Sequence, residues 1–176
     1  MTATTKNQFQ QLLPTRKGEL GEEIIYPFLK QKGWGKFVPV DDMPHPCDGF
    51  IFKMRPQFEF RAFEIKTRPK MVYYDGQGLD NHKIVTYDKL HAMGIEIIFF
   101  FIDENTRKIH ASTYTKMKVE TTNIENGKSI TYPNTTILEK QKITLYNIRT
   151  MHDIGEISIE QANELKSLSN INEAYK

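Results

Sequence analysis

Residues 47–70 read "CDGFIFKMRPQFEFRAFEIKTRPK". Apolar and polar residues alternate through most of this stretch, as in a β-hairpin with one covered face. Within that pattern Asp48 stands where the first strand should begin, and Glu64 and Lys66 flank Ile65 near the end of the second. A three-residue loop, Arg55-Pro56-Gln57, pairs Phe52 with Phe60, Phe50 with Ala62 and Asp48 with Glu64. The opposite face then pairs Lys53 with Glu59, a favourable cross-strand charge pair. A loop one residue longer turns Asp48 to the other side, so the register decides whether the carboxylates meet. In the first register one face is an apolar floor ending in two carboxylates and a lysine.

Two adjacent carboxylates repel each other and raise the pKa of one of them unless a cation lies between. Mg²⁺ meets that need, because it takes carboxylate and phosphate oxygens and keeps several waters. A surface salt bridge between an acid and Lys66 is the plainer alternative, and such pairs contribute little energy.

Outward from the hairpin, a first helix is expected over about Arg16–Lys32, stopped by "GWG" at 33–35. Leu20, Ile24, Ile25, Phe28 and Leu29 recur at helical spacing, with Pro27 inside the pattern. At about 100° per residue from Leu20, the apolar stripe spans roughly 0° to 180°. Glu22 then falls near 200°, at the stripe's edge, while Glu19 and Glu23 fall near 260° and 300°, toward solvent. Glu22 is therefore the helix acid expected to look along the helix–sheet seam.

A short strand, Lys36–Val40, and the extended loop "DDMPHP" lead into the hairpin. "YYDGQGLDNH" at 73–82 reads as a loop, followed by a helix over Lys83–Met93 capped by Asp80 or Asn81 and stopped at Gly94. "IEIIFFFI" at 95–102 lacks alternation, so a strand covered on both faces is expected. Further strands are expected at "KIHASTYTKMK", "GKSITYP" and "ITLYNIRT", with a turn at Asn126-Gly127. Ser158 and Gln161 form a capping box for a last helix, Ile159–Leu168. The order specifies an α/β (α+β) fold around a mixed sheet.

The 176 residues suit a single domain, 39% hydrophobic and 26% charged, which excludes disordered and collagen-like classes. The longest apolar run is Ile97–Ile102, far short of a bilayer span, so no membrane association is expected. The N-terminal "MTATTKNQFQQLLP" has no apolar segment of a secretory leader, and the single Cys47 allows no internal disulfide. An intracellular, cytoplasmic protein is the simplest inference. Net charge is only +2, but residues 53–70 carry six basic residues against two acids, while residues 151–176 carry two against five. A local basic strip suits a polyanionic partner, although a solvated hairpin has the same composition.

A helix acid, an aspartate and then Glu-X-Lys on the next strand resemble the PD-(D/E)XK nuclease superfamily. The likeness is greatest to small nucleases related to Holliday-junction resolvases and phage-type endonucleases. The matching text is "GELGEEIIYPFLKQKG", "PCDGFIF", "FEIKTRPK" and "LDNHKIVTYDKLHAMGIEIIFFF", together spanning about residues 16–103. The resemblance implies a restriction-endonuclease-like core there (helix, three strands, helix, strand), with residues 104–176 as a β-rich extension ending in a helix. It further implies a Mg²⁺-dependent deoxyribonuclease, with Mn²⁺ able to substitute. Asp48, Glu64 and the Ile65 carbonyl would be metal ligands, Lys66 the catalytic lysine, and Glu22 an acid completing or supporting the metal site. The motif proline departs from the pattern, lying two places before Asp48.

Arg61, Arg68, Lys70 and Lys83 are candidate phosphate contacts. His45, His82 and Tyr87 are candidates to line the site, although Tyr87 lies on the stripe Ile84–Tyr87–His91 and suits the core equally. Tyr73 and Tyr74 are candidates to stack on bases, and Cys47 reads as packing. Two alternatives share this fold: a non-catalytic DNA-binding or assembly module, and a nuclease acting on RNA. Cutting both strands of DNA would be easiest for a homodimer.

Overall fold

The computed structural model describes residues 13–37, 45–71, 74–138 and 141–169. Helix α1 (Leu13–Gln31) leads into β1 (Gly35–Phe37), β2 (Gly49–Lys53) and β3 (Glu59–Thr67). Strand β4 (Gly76–Asp80) precedes α2 (Asn81–Ala92), β5 (Ile97–Asp103) and β6 (Lys108–Thr113). A one-turn helix α3 (Tyr114–Met117) leads to β7 (Thr121–Glu125), β8 (Lys128–Tyr132), β9 (Asn134–Leu138) and β10 (Gln141–Asn147). Strand β11 (His152–Glu156) and α4 (Ile159–Ser167) close the described chain. No described helix is long and apolar enough to cross a membrane.

The main sheet has six strands in the order β1-β2-β3-β5-β6-β11. Only β3 and β5 run parallel, so the sheet is mixed. A second sheet has the order β4-β10-β9, and β7 and β8 form a separate hairpin. Side chains alternate across β3, so Phe63 and Ile65 pack with α1 and α4 on one face. On the other face Ala62 joins Tyr87 and Leu90 of α2, with Phe99 and Phe101 of β5 and Tyr146 of β10. Strand β5, apolar without alternation, is buried along nearly its whole length between these two cores. That is the reason for its composition.

The hairpin has the register expected from the three-residue loop: Phe50 faces Ala62, Phe52 faces Phe60 and Lys53 faces Glu59. Glu59 forms its ion pair with Arg61 on its own strand, at 2.6 Å. Asn126 and Gly127 both adopt positive φ and join β7 to β8 as the two-residue turn expected there. The capping box at Ser158 and Gln161 is also present.

The Gly-rich segment at 73–82 is not a loop throughout: Gly76–Asp80 is a strand paired with β10. Packing explains it, because a side-chain carbon at Gly76 would lie 3.0 Å from the Tyr132 ring. Small residues there allow close approach of the β8 side chain. Helix α2 begins at Asn81, two residues earlier than expected, and Asp80 is its N-cap by backbone conformation alone. The Asp80 carboxylate makes no capping bond and instead faces Arg68 at 3.8 Å. "KIHASTYTKMK" is half strand and half helix, because Thr113 caps α3 through its hydroxyl. Strands β7, β9 and β11 were not expected. Of the expected strand Lys36–Val40, residues 38–40 lie outside the described residues, as do residues 41–44 of the following loop.

Helix α1 lies unusually close to β3 at Gly21. A side-chain carbon there would come within 2.5 Å of Thr67 Cγ2 and 3.2 Å of Ile65 Cγ2. Gly21→Ala is therefore expected to cost about 1–3 kcal/mol through overpacking, read by urea unfolding. Gly18→Ala, whose new carbon meets nothing within 4 Å, should instead be neutral or slightly stabilising.

Candidate active site

The site lies where β2 begins and β3 continues past it. The Asp48 backbone N–H donates to the Phe63 carbonyl at 3.2 Å, the last ladder bond at that end of the hairpin. Beyond it the Asp48 side chain takes over, its Oδ2 accepting from the Ile65 N–H at 2.6 Å. Even-numbered residues of β3 turn their backbone toward β5, since Ala62 N donates to Glu96 O and Arg68 N to Ile102 O. The backbone groups of Ile65, carbonyl included, therefore face the Asp48 edge. This is the side from which the resemblance would have the carbonyl bind metal.

Glu64 projects from β3 on the α2 face and is completely buried. Its Oε1 accepts from Lys66 Nζ at 2.5 Å and from the Tyr87 hydroxyl at 2.9 Å, with Lys83 Nζ at 3.5 Å. Its Oε2 is buried and has no hydrogen-bond partner. An orphaned carboxylate oxygen in a buried site is costly, and it marks a place for a bound donor or cation. Removing the Tyr87 hydroxyl takes one charge-assisted bond from Glu64. Tyr87→Phe is expected to cost about 1.5–3 kcal/mol in urea unfolding.

The electrostatics bind the acids into one group. Burial, followed by the charge of Glu64, raises the Asp48 carboxyl from 3.8 to about 6, against the lowering effects of the Ile65 N–H and Lys66. Burial also raises Glu22, with Lys36 opposing and the charges of Glu19 and Glu64 adding to the rise. Glu22 thus feels Glu64 from α1 and acts in turn on Asp48. Its carboxylate accepts from the Tyr26 hydroxyl and lies 3.6 Å from Lys36 Nζ. Burial in turn lowers the Lys36 ammonium. As expected from helical angle, Glu22 is half-buried at the seam, whereas Glu19 and Glu23 are exposed.

Mg²⁺ is commonly held by one or two carboxylates with waters completing its shell. Asp48 and Glu64 fit that chemistry: mutually repelling carboxylates, one with a free oxygen, at a strand edge offering a carbonyl. Among the described residues no group of three His, Cys, Asp or Glu is spaced to hold a metal. Glu22 is turned to Tyr26 and Lys36 and is not within such a group.

The other candidates separate. Lys66 and Lys83 reach Glu64. Arg68 follows the end of β3 and faces Asp80, donating to the Gly78 carbonyl at 3.4 Å. Lys70 pairs with Asp75 at 2.7 Å. Arg61 lies on the α1 face, 5.6 Å over Trp34, away from the carboxylates. His45 and His82 are exposed, and Tyr74 packs on the small core around Met71 and Tyr132. Tyr73 lies outside the described residues. Tyr87 is both core and site: fully buried, with its hydroxyl on Glu64. Cys47 is buried, and burial pushes its thiol up to about 11, so it is inert packing.

The fold is similar to that of Hjc, a Holliday junction resolvase from Archaeoglobus fulgidus, an archaeal hyperthermophile. The match has a TM-score of 0.49 and 14% identity, over 82% of this chain and 99% of that one. It is also similar to D212, a nuclease from a fusselovirus, with a TM-score of 0.42 and 10% identity over 96% of each chain. No protein-family model matches the chain, nor does any curated protein.

Sequence reasoning passed over Tyr26 and Lys36, the residues that hold Glu22. Tyr26 is one helical turn after Glu22, a spacing at which side chains meet. Lys36 carried no local signal, because it reaches Glu22 from β1.

Proposed function

We propose that this chain is a divalent-metal-dependent nuclease that hydrolyses DNA phosphodiester bonds, most simply as an intracellular endonuclease. The observation that carries the reading is Glu64, completely buried with one oxygen unpartnered, beside an Asp48 whose carboxyl it drives upward. Asp48, Glu64 and the Ile65 carbonyl would hold Mg²⁺ or Mn²⁺, with Glu22 supporting from α1. Bound there, the ion supplies Lewis-acid polarisation of a phosphate oxygen.

The chain's own residues do the rest. The Lys66 side chain, 13% exposed beside Glu64, places an ammonium where negative charge builds on a phosphate or where a water must be oriented. Lys83 is 43% exposed, free to reach a substrate phosphate from α2. Tyr87 holds Glu64 Oε1 by its hydroxyl, fixing the carboxylate while Oε2 stays available. Arg68 and Lys70, further along the same strand end, would seat the backbone. Incubation with supercoiled, linear, branched and single-stranded DNA in Mg²⁺ and in Mn²⁺ tests the reading. Cleavage of at least one is expected, and cleavage of none would refute it.

A second reading rests on the Lys66–Glu64 contact at 2.5 Å, which satisfies much of the site internally. In that reading the chain binds DNA without cutting it. Millimolar Mn²⁺ would then leave thermal stability unchanged.

A further inference from the structure

We propose that the exposed aromatic face of the β2–β3 hairpin is a stacking platform for unpaired bases, leading a single-stranded segment to Glu64 and Lys66. The proposal rests on reading those residues as a cleavage site, and narrows the substrate to nucleic acid with an unpaired stretch.

The register places the platform. Phe50 opposite Ala62 and Phe52 opposite Phe60 share the sheet face from which Glu64 and Lys66 project, and Phe37 of β1 pairs with Phe50. The Phe50 and Phe60 rings are stacked, 5.3 Å apart and within 12° of parallel. Toward the site, α2 covers this face with Tyr87 and Leu90. Toward the hairpin tip the cover stops, and Phe58 is 64% exposed and Phe60 44%; Phe37, beside Phe50 on the edge strand, is 55% exposed. Isolated exposed apolar residues are ordinary, but a cluster on one face of one hairpin marks a binding surface.

Charge identifies the occupant. At the site end of the face stand Lys66 and Lys83. At the tip Arg55 lines a cleft of about 320 Å³ with Phe52 and Gly35, while Lys53 points to the opposite sheet face, over Trp34. Aromatic rings between cations match what a single strand requires, with bases on the rings and phosphates on the cations. Duplex DNA keeps its bases stacked inward and has no use for the rings.

The test is fluorescence anisotropy in EDTA, with a labelled oligothymidylate and a labelled duplex of equal length, so that binding is read without cleavage. The wild-type chain should prefer the oligothymidylate. The double variant Phe58→Leu/Phe60→Leu, which keeps apolar bulk but removes the rings, should weaken that binding by about tenfold or more. Duplex binding should hardly change, and Phe58→Tyr/Phe60→Tyr should restore the preference. Equal oligothymidylate binding by the leucine variant, or no binding by the wild type, overturns the platform. So does a wild-type dimer in light scattering that Phe58→Asp/Phe60→Asp dissociates, if the leucine variant binds like wild type; the face then belongs to a second copy. A chain that cleaves nothing but binds through these rings keeps the platform and loses the cleavage reading. One that cleaves duplex and single strand alike, with ring-independent binding, loses only the platform.

Discussion

Glu64→Gln and Lys66→Ala are each expected to lower DNA cleavage by at least about a hundredfold, the scale of losing one preorganised electrostatic group in a closed site. Supercoiled-plasmid nicking in Mn²⁺ measures it. The two changes act differently. Glutamine keeps the shape of Glu64 and can still accept from the Tyr87 hydroxyl, but it removes the charge that would hold the ion. Lys66→Ala leaves both carboxylates in place and removes the ammonium 2.5 Å from Glu64 Oε1. Metal binding should therefore survive in Lys66→Ala and fail in Glu64→Gln. Urea unfolding checks that both variants fold. Two folded variants that cut at the wild-type rate would show that the chemistry lies elsewhere.

Asp48→Asn is expected to stabilise the metal-free protein while abolishing its activity. Burial and Glu64 hold the Asp48 carboxyl at about 6 against an ordinary 3.8, so the folded state resists its ionisation. A carboxyl raised in this way favours folding when protonated. That contribution is complete below 3.8 and falls away as pH rises to about 6. Near neutral pH the ionised side chain therefore carries a penalty of up to about 3 kcal/mol. Asparagine removes the charge and can still accept from the Ile65 N–H. Urea unfolding at pH 7.5 should show the variant more stable than wild type, and the gap should close as pH falls toward 4. A variant less stable at pH 7.5 would mean that the Asp48 charge is already compensated within the protein. The strain between these carboxylates is the feature expected of a site shaped for a cation.

Much of this site was legible because the hairpin encodes its own register. Paired phenylalanines and the Lys53–Glu59 pairing leave one alignment, and that alignment puts Asp48 beside the strand bearing Glu64 and Lys66. Glu22 was legible from helical angle alone, because α1 has one apolar stripe and its acids sit at different distances from it. Strand β4 was not, because the close approach of the Tyr132 ring to Gly76 is a tertiary feature, and locally the glycines read as a turn. Strands β7 and β9 are threonine- and asparagine-rich with much of their length exposed, and thus lack the apolar alternation that announces a strand. Strand β11 carries a register shift between Asp153 and Gly155, which breaks the period of two. The contacts of Glu22 with Lys36 and of Glu64 with Tyr87 are tertiary, and of the two partners only Tyr87 carried a signal in the sequence.

The central claim is that Asp48 and Glu64 jointly bind a divalent ion, and a Mn²⁺ thermal-shift titration tests it most directly. At pH 7.5, with Mn²⁺ at about a hundred times its dissociation constant, binding should add about 2.7 kcal/mol. For a chain of this length that raises the melting temperature by roughly 5–10 °C. The shift should shrink at pH 5, where Asp48 is largely protonated, and vanish in Asp48→Asn and Glu64→Gln at either pH. No shift in the wild-type protein, or an equal shift in all three proteins, would contradict the account.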